Sequence, residues 1–345
     1  MDLSRLLAKR PIIQAPMAGG ATTPDLVVAV SGAGGLGSLP AGYLDAGTLA
    51  ERIESVRASG TDVFGVNLFV PSGALEPSVD LDAYRSELIE DARRLGTEVG
   101  PARYDEDDWT TKVDLLLQAR VGLVSFTFGC PSEEVLDRIR AVGSTTVVTV
   151  TTVEEARIAV ARGADGVCVQ GVEAGGHRAT FDPARGDDRP LAELLPEVAR
   201  AVDVPIIAAG GIMDGADIAA ALASGAMAVQ LGTAFLRCPE SGARPPHKAA
   251  LVDPSFTRTS LTYAFTGRPA RGLTNRFMRE HQDAPSAYPQ VHHMTKPLRA
   301  AATRVADPEG MALWAGTGFR RCRELPAAEL VAALRAEAID AGARL

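Results

Sequence analysis

The feature that most constrains this chain is a recurring order of short β-branched run, polar loop, amphipathic helix and glycine. It is clearest in Thr145–Gln170, where Thr152 and Glu155 have the spacing of a helix capping box. Gly163 ends the predicted helix, and the next apolar run follows directly. The same order returns between residues 205 and 231, which indicates repeated strand–helix units.

Eight strands are predicted from these runs, and most of them precede a helical stretch. They are Ile12–Ala15, Leu36–Leu39, Val63–Val70, Leu123–Phe126, Thr146–Val150, Val167–Gln170, Ile206–Ala209 and Ala228–Leu231. Eight strand–helix units are what a (β/α)8 TIM barrel requires, so the predicted class is α/β. A doubly wound sheet is the alternative. It is weaker, because glycine-rich polar loops follow several strands rather than one switch point.

The length of the chain leaves residues beyond the barrel. A barrel takes about 250 residues, so roughly 95 remain. We predict a barrel over residues 1–236, with a helical insertion at about residues 78–119 between strands three and four. Residues 237–345 are predicted to form a loop and helix C-terminal extension that packs on the barrel and helps to close the active site. Within it, Thr266–Pro297 is predicted to be loop-rich.

Composition excludes several classes of function. The formal net charge is −8, with no basic cluster, which argues against a nucleic-acid partner. The N-terminus has no signal-peptide pattern, and no 18-residue apolar run suggests a membrane span. The four cysteines lack zinc-ligand or redox spacing, which predicts reduced thiols in a cytoplasmic protein. They are Cys130, Cys168, Cys238 and Cys322.

Active sites of barrels lie at the C-terminal ends of the strands, so the residues at these ends are the candidates. After the first strand, Gly19 and Gly20 allow the backbone to approach a planar ligand. Asn67 is a polar residue inside the third apolar run, and its amide suits the edge of a heterocycle. A hydrogen-bonded core amide explains Asn67 equally well.

The sixth strand runs into a sequence that neither core packing nor a common turn requires, Gln170–Arg178. His177 follows Gly175 and Gly176, so it is expected to stand free in a cleft. A lone histidine is more often structural, but this placement favours a functional one. Imidazole is the natural proton carrier near neutral pH, which makes His177 the candidate acid–base group.

Two adjacent glycine loops follow the last two strands. Gly210 and Gly211 end the seventh strand, and Gly232 and Thr233 end the eighth. Barrels bind phosphate at these positions through backbone N–H groups. A tight turn explains one such loop but not two. No predicted strand ends in lysine, and only His177 among the histidines lies at a strand end. These two facts argue against a Schiff-base aldolase and a metal site, and they favour an organic cofactor.

On these residues the chain resembles the nitronate monooxygenases, formerly called 2-nitropropane dioxygenases, of class I. The resemblance covers nearly the whole chain. It includes the segments Gln14–Gly20, Ser31–Gly37, Ser125–Pro131, Gln170–Arg178, Pro205–Leu236, His247–Leu251, Phe265–Phe277 and Leu313–Gly316. Membership implies an FMN barrel that oxidises alkyl nitronates with O2 to a carbonyl compound and nitrite.

The resemblance also implies roles for residues. His177 would be the catalytic residue, and Ser286 in the late loop is the candidate to help hold substrate. Ala179 stands where the family has glycine, which puts the mobility of the His177 loop in doubt. The residues implied for the flavin ring, the ribityl chain and the phosphate are Pro16, Met17, Ala18, Asn67, Gln170, Gly175, Gly176, Gly210, Gly211, Gln230, Leu231, Gly232 and Thr233.

Other functions stay open at this point. The flavin-dependent enoyl-acyl-carrier-protein reductases share the barrel and the histidine loop, but Ser125–Pro131 and Gly267–Phe277 favour the oxygenase. A specialised biosynthetic flavin oxidase, or a flavin carrier without chemistry, is also compatible with the fold. Arg268, Arg271 and Arg276 would bind either an anionic substrate or a carboxylate of the protein. A monomer or homodimer is expected, acting on a small nitronate and O2.

Overall fold

The computed structural model describes residues 2–71, 73, 79–185 and 187–345. Short buried runs form its strands, and the six residues of the fifth are all buried. The strands are β1 (Ile12–Gln14), β2 (Ser38–Pro40), β3 (Gly65–Phe69), β4 (Leu123–Thr127), β5 (Thr145–Val150), β6 (Gly166–Gln170), β7 (Gly176–His177), β8 (Ile206–Ala209), β9 (Ala228–Leu231), β10 (Thr259–Thr262) and β11 (Ala270–Leu273).

Eight of these strands form a parallel barrel, which confirms the predicted (β/α)8 fold. Their order is β1-β9-β8-β6-β5-β4-β3-β2. The two ends of the sheet meet just before β2, where the backbone N–H of Gln14 donates to the carbonyl of Leu36 at 3.0 Å. The N–H of Leu36 returns a bond to the carbonyl of Ile12 at 2.9 Å. Strands β10, β11 and β7 form a separate antiparallel sheet.

Helices surround the barrel, and side chains cap several of their N-termini. Thr152, for example, accepts the N–H of Glu155 at 3.0 Å, as the capping box predicts. The helices are α1 (Leu3–Lys9), α2 (Pro24–Gly32), α3 (Ala46–Ala58), α4 (Leu81–Arg94), α5 (Trp109–Ala119), α6 (Glu133–Ala141), α7 (Val153–Ala161), α8 (Leu191–Ala201), α9 (Gly215–Ala223), α10 (Pro245–Ala250), α11 (Arg276–Glu280), α12 (Gln290–Arg304) and α13 (Ala327–Asp340). Among the described residues, none of the helices is long and apolar enough to cross a membrane.

The structure has the predicted helical insertion between β3 and β4 and the predicted C-terminal extension, but one segment of the extension differs from the prediction. Helices α4 and α5 form the insertion; position 78, where it was predicted to begin, lies outside the described residues. The prediction of a loop-rich segment over Thr266–Pro297 is wrong at β11, at α11 and over residues 290–297, which are the first half of α12. Pro297 lies inside this helix and cannot donate to the carbonyl of His293. Gly100 of the insertion packs against that carbonyl and donates to the carbonyl of Met294 at 2.8 Å.

A buried ionic cluster joins the insertion to the extension. Asp91 on α4 is only 3% exposed. Its carboxylate accepts Nη1 of Arg276 at 2.9 Å and lies 2.8 Å from Nε2 of His281. Burial alone would raise the pKa of Asp91, but the bonds from His281 and Arg276 lower it overall. The cluster therefore holds Asp91 ionised between two parts of the chain that are distant in sequence.

Asp91→Asn should lower the free energy of unfolding by about 2 kcal/mol, because it removes the buried carboxylate that accepts from Arg276 and faces His281, although Arg276 keeps its contact with Glu280. Because the folded state lowers the pKa of Asp91, its contribution is present above the ordinary value of 3.8 and is lost as pH falls below it. The measurement is urea denaturation at several pH values. Glu90→Gln on the same helix is the control, since Glu90 is exposed. If it changed the free energy of unfolding by more than about 0.5 kcal/mol, the effect of Asp91→Asn would not be specific to the buried cluster.

Candidate active site

A cavity of about 740 Å³ opens at the C-terminal ends of the barrel strands. Ser286 is exposed, and it is not among the described residues that line this cavity. All the other predicted site residues line it: Pro16, Met17, Ala18, Asn67, Gln170, Gly175, Gly176, His177, Gly210, Gly211, Gln230, Leu231, Gly232 and Thr233. The structure thus brings together candidates from five barrel strands, β1, β3, β6, β8 and β9, and from the loops that follow them.

The loop that carries His177 is held from two sides. β7 pairs with β11 of the extension, and this places His177 opposite Ala270. Gln170 at the end of β6 donates from Nε2 to the carbonyl of His177 at 3.1 Å. Its Oε1 accepts Nη1 of Arg178 and the N–H of Ala179, both at 3.0 Å. The amide of Gln170 therefore braces the His177 loop, and the Ala179 N–H takes part in this bracing.

The imidazole of His177 lies among aromatic rings. Its ring centroid is 5.5 Å from that of Phe128, 5.6 Å from that of Trp314 and 6.1 Å from that of Tyr288. Nε2 lies 2.9 Å from the hydroxyl oxygen of Thr266. Sequence reasoning named none of these four neighbours as site residues, although Phe128, Thr266 and Trp314 lie in segments that it singled out.

The pKa of His177 is lowered to about 3, chiefly by burial and then by the positive charges of Arg268 and Arg299. The side chain is therefore neutral at pH 7 and does not titrate near neutrality, unlike an exposed imidazole. Arg268 is 1% exposed and lies 4.0 Å above the ring of Phe128. Arg299 lines the cavity and Arg268 is buried behind Phe128, so both place positive charge around His177, and this favours anionic ligands.

The other two arginines considered from the sequence have structural partners. Arg271 donates from Nε to the carbonyl of Val172 at 2.7 Å. Arg276 pairs with Asp91 and with Glu280, so of the two predicted partners, an anionic substrate or a carboxylate of the protein, Arg276 has the carboxylate. Of the three, only Arg268 contributes charge next to His177.

Helix α12 adds side chains that sequence reasoning did not anticipate. His292, Lys296 and Arg299 line the cavity from one face of this helix. The ring of His292 stacks on Tyr43, with centroids 4.1 Å apart and planes at 7°. Arg299 donates from Nη2 to the carbonyl of His292 at 2.9 Å. Their helical spacing was the available signal, but the loop prediction for this segment concealed it.

The two glycine loops present free donors to the cavity. Within the described part of the chain, the backbone N–H groups of Gly210, Gly211, Gly232 and Thr233 make no hydrogen bond. Gly210 and Gly211 have φ of +110° and +73°, which other residues rarely adopt. The hydroxyl oxygen of Thr233 accepts the N–H of Gly316 at 2.9 Å, so its own hydrogen is available. This donor set suits a phosphate.

Asn67 lies in the cavity wall, but its amide donors are satisfied. Nδ2 donates to the hydroxyl oxygens of Ser125 and Thr127, at 2.9 and 3.0 Å. The side chain is 3% exposed. The geometry therefore fits a hydrogen-bonded core amide whose edge contributes to the wall.

Comparison with known proteins gives consistent results. A family model described as nitronate monooxygenase matches residues 2–337. The nitronate monooxygenase of Pseudomonas aeruginosa is 42% identical and is aligned over 96% of this chain and 97% of its own. The structure of nitroalkane oxidase from Streptomyces ansochromogenes is similar, with a TM-score of 0.93 and 51% identity over 96% of both chains. FabK from Thermotoga maritima has a TM-score of 0.75 and 29% identity, over 98% of this chain and 96% of its own.

Proposed function

Because this chain belongs to the nitronate monooxygenase family, we propose that it oxidises alkyl nitronates with O2 in the barrel cavity. The products are a carbonyl compound and nitrite. The observation that carries the proposal is a neutral His177 flanked by two arginine charges, in a cavity that also contains unpaired backbone donors. An electropositive wall and a phosphate cradle are what an anionic substrate and FMN require.

The residues present fit FMN. Gly210, Gly211, Gly232 and Thr233 would hold the phosphate, because their N–H groups have no partner among the described residues. The chain from Pro16 to Gly20 would face the flavin ring, since it lines the cavity beside these loops. When bound, FMN supplies the acceptor for the substrate's electrons.

The chain's own residues would bind and orient the substrate. Arg268 and Arg299 attract the nitronate anion, and the neutral imidazole of His177 takes the α-proton when a nitroalkane arrives instead. Phe128, Tyr288 and Trp314 surround that imidazole and exclude water. Two of these three rings come from residues 237–345, which supports the proposal that the extension helps to close the site.

Anaerobic reduction tests this function. The purified protein should be yellow, with one non-covalent FMN per chain, and ethyl nitronate should reduce the flavin. NADH should reduce it slowly or not at all, because no G-x-G-x-x-G turn follows the first strand. Rapid stoichiometric reduction by NADH would move the assignment to the enoyl-acyl-carrier-protein reductase alternative. A protein that neither contains nor binds FMN would contradict the proposal.

A further inference from the structure

We propose that Thr266 is a positioning residue that keeps the proton of neutral His177 on Nε2, so that Nδ1 is the atom that accepts a substrate proton. The substrate step of this inference rests on the proposed function. The tautomer itself follows from the hydrogen bonds of one buried hydroxyl, and that hydroxyl belongs to the extension rather than to the barrel strands.

The hydroxyl of Thr266 has one hydrogen and three neighbours. Its oxygen lies 3.2 Å from the carbonyl oxygen of Arg268, to which it donates. The N–H of Arg268 points back to the same oxygen at 3.4 Å. The remaining neighbour is Nε2 of His177, at 2.9 Å. Because the only hydrogen is used on the carbonyl, the contact with His177 is a bond only if Nε2 donates.

The opposite tautomer leaves two polar groups without partners. If Nδ1 carried the proton, Thr266 would have to give its hydrogen to Nε2. The carbonyl of Arg268 would then lose its donor, since no other described group donates to it. The Nδ1–H would also face no acceptor among the described residues. Buried groups without partners are costly, so the arrangement favours Nε2–H.

Nδ1 is left with a lone pair that a ligand can reach. Nδ1 makes no hydrogen bond in the described part of the chain, and it is not fully buried. His177 lines the cavity, and therefore this nitrogen is open to it. Phe128, Tyr288 and Trp314 surround the ring, and the bond from Gln170 to the His177 carbonyl fixes the backbone that carries it.

Thr266→Val and Thr266→Ser form the matched pair for the test. Valine keeps the shape but removes the hydroxyl, whereas serine keeps the hydroxyl. In protein labelled with ¹⁵N-histidine, the His177 signals are identified by their loss in His177→Asn. We expect wild type and Thr266→Ser to show a protonated Nε2 and an unprotonated Nδ1, and Thr266→Val to show a mixture of tautomers. A protonated Nδ1 in wild type would overturn the inference, and this spectrum decides even if the valine variant does not fold.

Kinetics gives the second readout. Thr266→Val should lower kcat/KM for nitroethane about 10-fold, the scale of one neutral hydrogen bond, while ethyl nitronate keeps its rate. Thr266→Ser should restore the rate with nitroethane. Equal losses on both substrates in Thr266→Val would contradict a role through the proton. A wild type with a protonated Nε2 but no nitronate turnover would instead overturn the proposed function and leave the tautomer assignment supported.

Discussion

His177→Asn should lower kcat/KM for nitroethane about 100-fold or more, while ethyl nitronate retains most of its rate. Asparagine keeps a polar amide near the position of Nδ1, but it cannot take up a proton. A neutral nitroalkane must lose its α-proton before oxidation, whereas a nitronate has already lost it. FMN content should stay near that of wild type, because the phosphate donors lie on the loops after β8 and β9.

The low pKa of His177, about 3 in the protein, does not exclude this role. Burial and the charges of Arg268 and Arg299 disfavour the imidazolium as long as no anion lies beside it. Proton transfer from a nitroalkane creates that anion in the same step. The new negative charge offsets the guanidinium charges and stabilises the imidazolium, so the two changes favour each other. A site of this kind is a stronger base toward its substrate than toward water.

The measurement is a paired determination of kcat/KM for nitroethane and ethyl nitronate, with the flavin content of each protein. His293→Asn is the matched control, because His293 faces Asp105 at 2.8 Å and is not among the described residues that line the cavity. It should leave both rates near wild type. Equal losses on both substrates in His177→Asn, at full flavin content, would show that His177 acts by electrostatics or positioning. Loss of flavin would make it a cofactor-site residue.

The fold and the position of the site could be predicted because their signals are local. Buried parallel strands appear as continuous apolar runs, and the first run, Ile12–Ala15, differs from β1 by one residue. Barrel geometry then brings all the strand ends to one face, so residues as distant in sequence as Pro16 and Thr233 line one cavity. No knowledge of side-chain contacts is needed for either step.

The chemistry of the site could not be predicted, because it depends on contacts between distant segments. The pKa of His177 depends on Arg268 and Arg299, and its hydrogen bond on Thr266. Sequence alone gives no distance between these groups. Ser286 shows the same limit, since its segment has no periodic pattern and the structure places it on the surface. Gln170 was expected at the flavin, but its amide groups also brace the loop that carries His177.

Thr233→Asp should weaken FMN binding about 1,000-fold. The hydroxyl of Thr233 belongs to the second glycine loop and lines the cavity, and its hydrogen is available to a phosphate oxygen because Gly316 donates to its oxygen. A carboxylate there would lie close to the phosphate. Two like charges at about 4 Å repel by about 4 kcal/mol at an effective dielectric constant of 20, which is about 1,000-fold in Kd.

The fold should survive this change, because an aspartate oxygen can accept the Gly316 N–H as the hydroxyl does. Thr233→Val is the matched neutral variant. It loses one donor without adding charge, so its Kd should rise only about 10-fold. The measurement is titration of the deflavinated proteins with FMN, together with the Tm of each apoprotein. Unchanged binding by Thr233→Asp at an unchanged Tm would place the phosphate elsewhere in the cavity. Similar losses in the aspartate and valine variants would mean that the lost hydroxyl, and not repulsion between the new carboxylate and the phosphate, weakens the binding of FMN.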